Sequence, residues 1–236
     1  MPFTVDPRVI YRGTGASLLN EMQMMGVQFG INGFLARTYW AWRLNESVSG
    51  EGGEGRKVNP AEEIGVASVA GMISAFTTSP VELVMINQQR YGGSIAAQLG
   101  SVIKEGGMFS RGIGRGMGCA ILRDGIYVAG LLGITPTLQT HLIRKGHSEA
   151  TSGLYASIVG GCVAAVLSHP LDMVKTCMQG DMKQTKYQDT ISTVRALTAE
   201  GGFSRLYHGL FWRTVNIVGT VYIANEVRVW ATQYLD

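Results

Sequence analysis

The stretch HPLDMVKTCMQ, residues 169–179, recurs in altered form as SPVELVMINQQ, residues 79–89. Each copy carries a proline, an acidic residue two positions later and a glutamine nine positions after the proline. Two shorter matches follow at a similar spacing of about 90 to 95 residues: Glu105-Gly106-Gly107 with Glu200-Gly201-Gly202, and Arg115-Gly116 with His208-Gly209. The chain therefore contains an internal repeat, which is the signature of an architecture built from similar units.

Five long segments of the chain contain few charges, at roughly 14–42, 61–89, 116–140, 152–178 and 210–235. Each has about the 20 residues that a helix needs to cross a bilayer. Ionisable groups within them should face a bundle interior or a wet cavity, because facing lipid at mid-bilayer costs at least ~2.5 kcal/mol. We therefore predict an all-α membrane protein with five transmembrane helices. The alternative is a soluble helical bundle, but five such segments are hard to bury without lipid.

The remaining segments differ in character. Residues 44–60 read as a flexible loop, and residues 92–104 and 187–199 read as short amphipathic helices. If the five spans alternate, both amphipathic helices lie on the same side as the N-terminus. That side has ten Lys and Arg residues against six on the other, so the positive-inside rule places the N-terminus inside.

Composition excludes several classes of protein. Only 16% of the 236 residues are charged and the net charge is +3, against about a quarter charged in soluble domains, which argues against a nucleic-acid partner. The three scattered cysteines form neither a disulfide framework nor a paired metal site, and His169 has no second ligand nearby. No constellation of Ser, His, Asp or Cys is placed for catalysis, so we predict no enzymatic activity and no metal.

The repeated motifs resemble the mitochondrial carrier family of inner-membrane solute transporters. In that family, Pro-x-acid-x-x-base ends each odd helix, and aromatic-base-Gly opens each even helix. Residues 152–236 match as the third repeat (helices 5 and 6), 61–142 more loosely as the second (helices 3 and 4), and 1–45 as half of the first (helix 2). The resemblance implies a single carrier-like domain over 1–236, with helices 2–6 of the six-helix fold, short matrix-side amphipathic helices and no first helix. It also implies an N-terminus in the matrix and a C-terminus in the intermembrane space.

The resemblance further implies a matrix gate of ion pairs between odd helices, near kinks at Pro80 and Pro170. Glu82 is expected to pair with Lys175, and Asp172 to lack a partner because its base would lie on helix 1. Met85 replaces the base of the second repeat, as loss of helix 1 would favour. The expected gate residues are Glu82, Lys175, Asp172, Gln89 and Gln179.

The family's substrate-contact positions follow the motif glycine of each even helix by seven or eight residues. Counting places them at Asn20, Glu21, Arg123, Asp124 and Asn216. An arginine followed by an acid resembles carriers of amino-acid-like zwitterions, but Arg123 and Asp124 are also explained as a satisfied pair inherited from a transporter. Bound cardiolipin is expected at Gly13, Gly116 and Gly209, and no other cofactor.

Two functions compete at this point. The preferred hypothesis is a transport-inactive accessory subunit of an inner-membrane assembly, with a respiratory-chain complex as the expected host. It would dock on other membrane subunits through the flanks of helices 2 and 6 left bare by the loss of helix 1. The alternative is a working solute carrier for an amino acid or small carboxylate that uses Arg123 and Asp124. A weaker third hypothesis is a phospholipid-binding scaffold.

Overall fold

The structure, a computed structural model, describes residues 14–49, 59–107 and 112–235, without the side chains at 14–20, 44–49, 228 and 232–235. All regular elements of this described part are helical. In chain order they are α1 (Thr14–Ser49), α2 (Pro60–Tyr91), α3 (Ile95–Gly106), α4 (Met117–Val128), a π-helical turn (Ala129–Ile134), α5 (Thr135–Arg144), α6 (Glu149–Gly180), α7 (Thr190–Gly201), a 3-10 turn (Phe203–Tyr207) and α8 (Leu210–Leu235). The prediction of an all-α protein is confirmed.

Each of the five charge-poor segments is helical. The first helix is longer than predicted, because α1 continues to Ser49 and residues 44–49 are helix rather than loop. Within the described residues, three helices are long and apolar enough to cross a membrane: Pro60–Tyr91, Met117–Arg144 and Glu149–Gly180. The helices α1 and α8 have 36 and 26 residues, long enough for a bilayer, but their role as spans stays a prediction.

The two predicted amphipathic helices are present as α3 and α7. Their starts are fixed locally, because the Ser94 side chain accepts from the Ala97 amide and the Asp189 side chain accepts from the Ser192 amide. Their ends are set by Gly107 and Gly202, at φ 72° and 66°. These are left-handed values that glycine adopts without strain.

Pro80 and Pro170 lie inside α2 and α6, and both helices continue past them. Proline within a helix removes one backbone hydrogen bond and strains the preceding turn. Both helices run through their proline without a break, and the kinks expected at these positions stay a prediction.

The long helices pack in series, with α1 on α2, α2 on α4, α4 on α6, and α6 on α8. Glycines bring their backbones close. A Cβ atom added at Gly71 would lie 2.3 Å from the Asp124 carbonyl oxygen, and one at Gly160 would lie 2.2 Å from the Thr135 Oγ1. Small residues at such crossings are how membrane helices gain contact without a hydrophobic driving force.

A π-helical turn at Ala129–Ile134 interrupts the span that joins α4 to α5, and the sequence analysis did not predict it. The Thr135 hydroxyl donates to the Gly130 carbonyl oxygen at 2.9 Å, which satisfies an acceptor in the irregular stretch. Gly130 packs closely against Ala164 of α6.

Apolar side chains from different helices meet in the interior beside this turn. Five of them, which we call the apolar layer, are Met24, Tyr127, Leu131, Ile217 and Val221. They come from α1, α4, the π-helical turn and α8, so the layer joins the first and last helices of the series across the interior.

Candidate functional site

A cavity of about 170 Å³ lies in the interior between α1, α2, α4 and α8. Its lining residues are Glu21, Met24, Glu82, Arg123, Asp124, Tyr127, Arg213, Asn216, Ile217 and Thr220. Three of these, Met24, Tyr127 and Ile217, belong to the apolar layer. The cavity is therefore apolar on one side and strongly charged on the other.

The structure brings the predicted contact positions together. Glu21, Arg123, Asp124 and Asn216 come from three different helices and all line this one cavity. The side chain of Asn20 lies outside the described residues. Their role in binding a solute stays a prediction, but their common location is established.

Arg123 is at the centre of the charged side. Its Nε donates to Asp124 Oδ1 at 2.7 Å, its Nη1 to Asp172 Oδ1 at 2.9 Å and its Nη2 to Glu82 Oε1 at 2.9 Å. Asp124 also accepts from the Thr78 hydroxyl at 3.2 Å. The pair between Arg123 and Asp124 is thus confirmed, but it is part of a larger arrangement in which one buried guanidinium contacts three carboxylates.

The expected pair between Glu82 and Lys175 is also present. Lys175 is only 1% exposed, and removing its partner would leave an uncompensated charge in a low-dielectric interior. This ion pair joins α2 to α6, as the resemblance implied.

The prediction that Asp172 lacks a partner is wrong. Its carboxylate pairs with Arg123 of α4 and with Arg213 of α8. The physical reason is that a carboxylate in the interior can pair with any base that the packing brings within hydrogen-bonding distance. Here both bases, Arg123 and Arg213, lie on even helices of the family pattern. We call the six residues Glu82, Arg123, Asp124, Asp172, Lys175 and Arg213 the ion-pair cluster.

Arg213 was not identified from the sequence. It lies three residues before Asn216, which places both on one helix face, and this spacing was the signal that could have found it.

The expected glutamines behave differently from each other. Gln179 is fully buried, and its amide donates to the Ser79 hydroxyl at 3.4 Å and to the Arg115 carbonyl oxygen at 3.1 Å. Gln89 lies exposed on α2. Asn87, which was not predicted, is the buried amide of α2 and donates to the Gln179 carbonyl oxygen at 3.1 Å.

Side chains cap the C-terminal end of α6. Arg115, 1% exposed, donates from Nε to the Met178 carbonyl oxygen at 2.5 Å. Arg90 donates to the Gly180 carbonyl oxygen at 2.5 Å, and the Tyr91 hydroxyl donates to the same oxygen at 3.1 Å. These contacts satisfy carbonyl groups that a helix end leaves without intrahelical donors.

The loop after α6 is organised by Asp181. Its carboxylate accepts from the amides of Lys186 at 2.8 Å and Tyr187 at 3.0 Å, and from the Thr185 hydroxyl at 2.9 Å. Burial opposes ionisation of Asp181, but these donors outweigh it and lower the pKa to about 2.

Two of the three glycines expected to hold cardiolipin are described. Gly116 precedes α4 at φ 75° and Gly209 precedes α8 at φ 86°, while Gly13 lies outside the described residues. A Cβ at Gly116 would meet Lys175 and Gln179 at 3.4 Å, so this glycine also lets α4 approach α6. His169 contacts the His208 carbonyl oxygen at 3.2 Å and stacks on Tyr207, which gives it a packing role.

Comparison with known proteins assigns the family. The family model described as mitochondrial carrier protein matches residues 56–146 and 146–224. A probable mitochondrial 2-oxodicarboxylate carrier of Dictyostelium discoideum is 25% identical over 94% of this chain and 73% of its own length. Mitochondrial 2-oxodicarboxylate carrier 1 of Saccharomyces cerevisiae is 28% identical over 85% of this chain and 63% of its own. A mitochondrial arginine transporter of Arabidopsis thaliana is 26% identical over 94% of this chain and 73% of its own.

These relatives bear the names of carriers and transporters, and nothing among the matches supports an accessory subunit of a respiratory complex. The chain spans between 63% and 73% of the three relatives. The family model covers most of the chain, and residues of α1, α2, α4 and α8 line a charged cavity. The chain belongs to the mitochondrial carrier family, whose members are multi-pass proteins of the mitochondrial inner membrane.

Proposed function

We propose that this chain is a solute carrier that binds an amino acid or a small carboxylate in the cavity lined by Glu21, Arg123, Asp124 and Asn216. The observation that carries the proposal is that Glu21, Arg123, Asp124 and Asn216, from three helices, line one cavity beside the ion-pair cluster and the apolar layer. The relatives, which are named as 2-oxodicarboxylate carriers and an arginine transporter, support the same solute classes.

The charges of the site favour an amino acid over a dicarboxylate. Among the described residues, the cavity wall and the ion-pair cluster hold four carboxylates, Glu21, Glu82, Asp124 and Asp172, against three bases, Arg123, Lys175 and Arg213. This leaves one negative charge when all are ionised. A dicarboxylate would add two more in a poorly solvated space, whereas an amino acid brings an ammonium group that a carboxylate can bind.

In this proposal the ion-pair cluster is the matrix gate, with Gln179 beside it. The pairs join α6 to α2, α4 and α8, so opening that end requires them to separate. The N-terminus then lies in the matrix and the C-terminus in the intermembrane space, with cardiolipin phosphate at Gly116 and Gly209, where helix N-termini offer amide donors.

The accessory-subunit hypothesis gains no support from the relatives or from the site. A subunit selected only for docking has no need of a buried cluster of six charged residues, which is costly to maintain inside a membrane. The carrier alternative accounts for both the cluster and the cavity.

The test is solute uptake by the purified chain in liposomes, with radiolabelled L-arginine, L-glutamate and 2-oxoadipate as probes. We expect uptake of at least one probe by the unaltered chain, and its loss when Arg123→Ala and Asp124→Ala are combined. Arg195→Ala, on the exposed face of α7, is the matched control and should retain uptake. Absence of uptake by a folded chain, together with its migration in a respiratory complex on native gels, would overturn the proposal.

A further inference from the structure

Arg213 connects the ion-pair cluster to the cavity in a way that no motif indicated. It lines the cavity from α8, and its Nη1 pairs with the Asp172 carboxylate. Its Nε is buried and has no hydrogen-bond partner among the residues that the structure describes. An unpaired buried donor is costly, so Arg213 has a free N–H group that an incoming acceptor would satisfy.

Arg123, in contrast to Arg213, has a carboxylate partner for each of its guanidinium nitrogens. These partners are Asp124, Asp172 and Glu82. The residue is only 8% exposed. A solute carboxylate can therefore gain a full contact with Arg123 only by displacing one of the three acids.

Asp172 is the acid most easily displaced. Its side chain is 18% exposed, against 9% for Glu82 and 2% for Asp124. Glu82 is held by Lys175 as well as by Arg123, and Asp124 is held by Thr78. The ion pairs of Asp172 within the described residues are with the two arginines alone.

We propose that a carboxylate of the solute replaces Asp172 on Arg213 and Arg123, so that binding of the solute and release of α6 are the same event. This inference rests on the proposed function and adds the means by which binding is coupled to gating. Asp172 ties α6 to α4 through Arg123 and to α8 through Arg213. A solute carboxylate that takes its place satisfies both arginines without tying either of their helices to α6.

Arg213 is in this scheme the residue that selects for a carboxylate. A planar guanidinium binds a carboxylate through two parallel N–H groups, which a lysine cannot reproduce. The free Nε and one Nη of Arg213 supply that pair once Asp172 has left. The displaced Asp172 and Glu21 are then available to an ammonium group on the same solute.

The scheme makes Asp172 a competitor of the solute, and that is its distinctive consequence. Removing a competitor raises the apparent affinity, because the solute no longer has to displace it. Asp172→Asn should therefore lower the dissociation constant of a carboxylate probe by about fivefold to tenfold, whereas Arg213→Gln should raise it by about tenfold or more. The double variant should bind like Arg213→Gln alone.

The experiment measures binding of 2-oxoadipate and L-arginine to the detergent-solubilised full chain, by ligand-induced shifts in thermal unfolding. Glu21→Gln is the matched control, because it removes an equal charge from the same wall without a contact to Arg213. With 2-oxoadipate as the probe, it should tighten binding clearly less than Asp172→Asn does. Asp172→Glu, which keeps the competing carboxylate, should tighten binding of 2-oxoadipate less than Asp172→Asn does.

Equal tightening by Glu21→Gln and Asp172→Asn would reduce the effect to general charge repulsion and overturn the inference. Unchanged or weaker binding by a folded Asp172→Asn chain would do the same, and in both cases the proposed carrier function would still stand. If Asp172→Asn does not fold, the binding of 2-oxoadipate to Arg213→Lys is the deciding measurement. A rise of about tenfold in its dissociation constant supports the inference, and an unchanged dissociation constant overturns it. Failure of both probes to bind the unaltered chain would overturn the inference and the proposed function together.

Discussion

The Nε of Arg115 lies 2.5 Å from the carbonyl oxygen of Met178, so a buried guanidinium just before α4 caps the C-terminal end of α6. The same side chain donates to the Tyr187 carbonyl oxygen in the loop after α6. Arg115 therefore joins the start of one helix to the end of another and to the loop that follows.

Replacing Arg115 by alanine should destabilise the chain by about 2 to 3 kcal/mol, because buried carbonyl groups lose charge-assisted hydrogen bonds. The measurement is thermal unfolding in mild detergent. Arg195→Ala, an exposed arginine of α7, is the control and should leave the midpoint unchanged. An equal effect of the two substitutions would show that the cap does not stabilise the fold.

Asp181 should make stability depend on pH. Its pKa is lowered to about 2 in the folded chain, against about 3.9 when unfolded, so its contribution is complete above about pH 4 and is lost as pH falls towards 2. After allowance for solvent screening, that contribution is about 1 kcal/mol.

The check for Asp181 is the difference in unfolding midpoint between the unaltered chain and Asp181→Asn. The difference should be constant from about pH 7 to pH 5 and should shrink below about pH 4. A difference that stays the same down to pH 3 would contradict the hydrogen-bonded, ionised carboxylate that the loop displays.

Two glycines of α2 should respond oppositely to alanine. At Gly71 the new Cβ would lie 2.3 Å from the Asp124 carbonyl oxygen, a backbone atom that cannot move aside, whereas at Gly65 there is nothing within 4 Å. We expect Gly71→Ala to cost about 1 to 3 kcal/mol and Gly65→Ala to stabilise by about 0.4 to 1 kcal/mol. Thermal unfolding of both variants tests this, and a Gly71→Ala chain that is as stable as the unaltered one would contradict the close contact between α2 and α4.

Lys175→Met should destabilise the closed cluster, because Glu82 would then keep one ion pair within the described residues, the one with Arg123. Breaking a buried ion pair costs about 3 to 5 kcal/mol, and the remaining contact should bring the loss to about 2 to 4 kcal/mol. Lys186→Met is the matched control: Lys186 also pairs with a glutamate, but its side chain is 55% exposed, so no change in midpoint is expected. The prediction fails if both variants unfold at the midpoint of the unaltered chain.

Periodicity and charge predicted the helices well, because a segment with few charges and few strong helix breakers has few alternatives within a membrane. The end of α1 at Ser49 was missed, since glycine and mixed charge near residue 50 indicated a loop that begins earlier. The π-helical turn at Ala129–Ile134 was missed for another reason. A change from i→i+4 to i→i+5 hydrogen bonding depends on close packing against α6, which no local pattern records.

The ion-pair cluster was predicted in part. The pairing of Glu82 with Lys175 follows from the family motif, because Glu82 is the acid of the motif in one repeat and Lys175 is the base of the motif in the next. The partners of Asp172 do not, since Arg123 and Arg213 reach it from helices that the motif treats as separate from the gate. Likewise Asn87 rather than Gln89 is the buried amide of α2, a matter of helix rotation that spacing along the chain does not fix.

The single excess carboxylate of the cavity and its cluster also has an electrical consequence. Each elementary charge moved through the membrane field changes the free energy by about 2.3 kcal/mol per 100 mV. We expect the empty site, with one net negative charge, to sense the voltage when it changes the side to which it opens. A site that holds a singly cationic amino acid has no net charge, so the membrane potential does not act on the loaded carrier. The potential would therefore act on the return of the empty carrier.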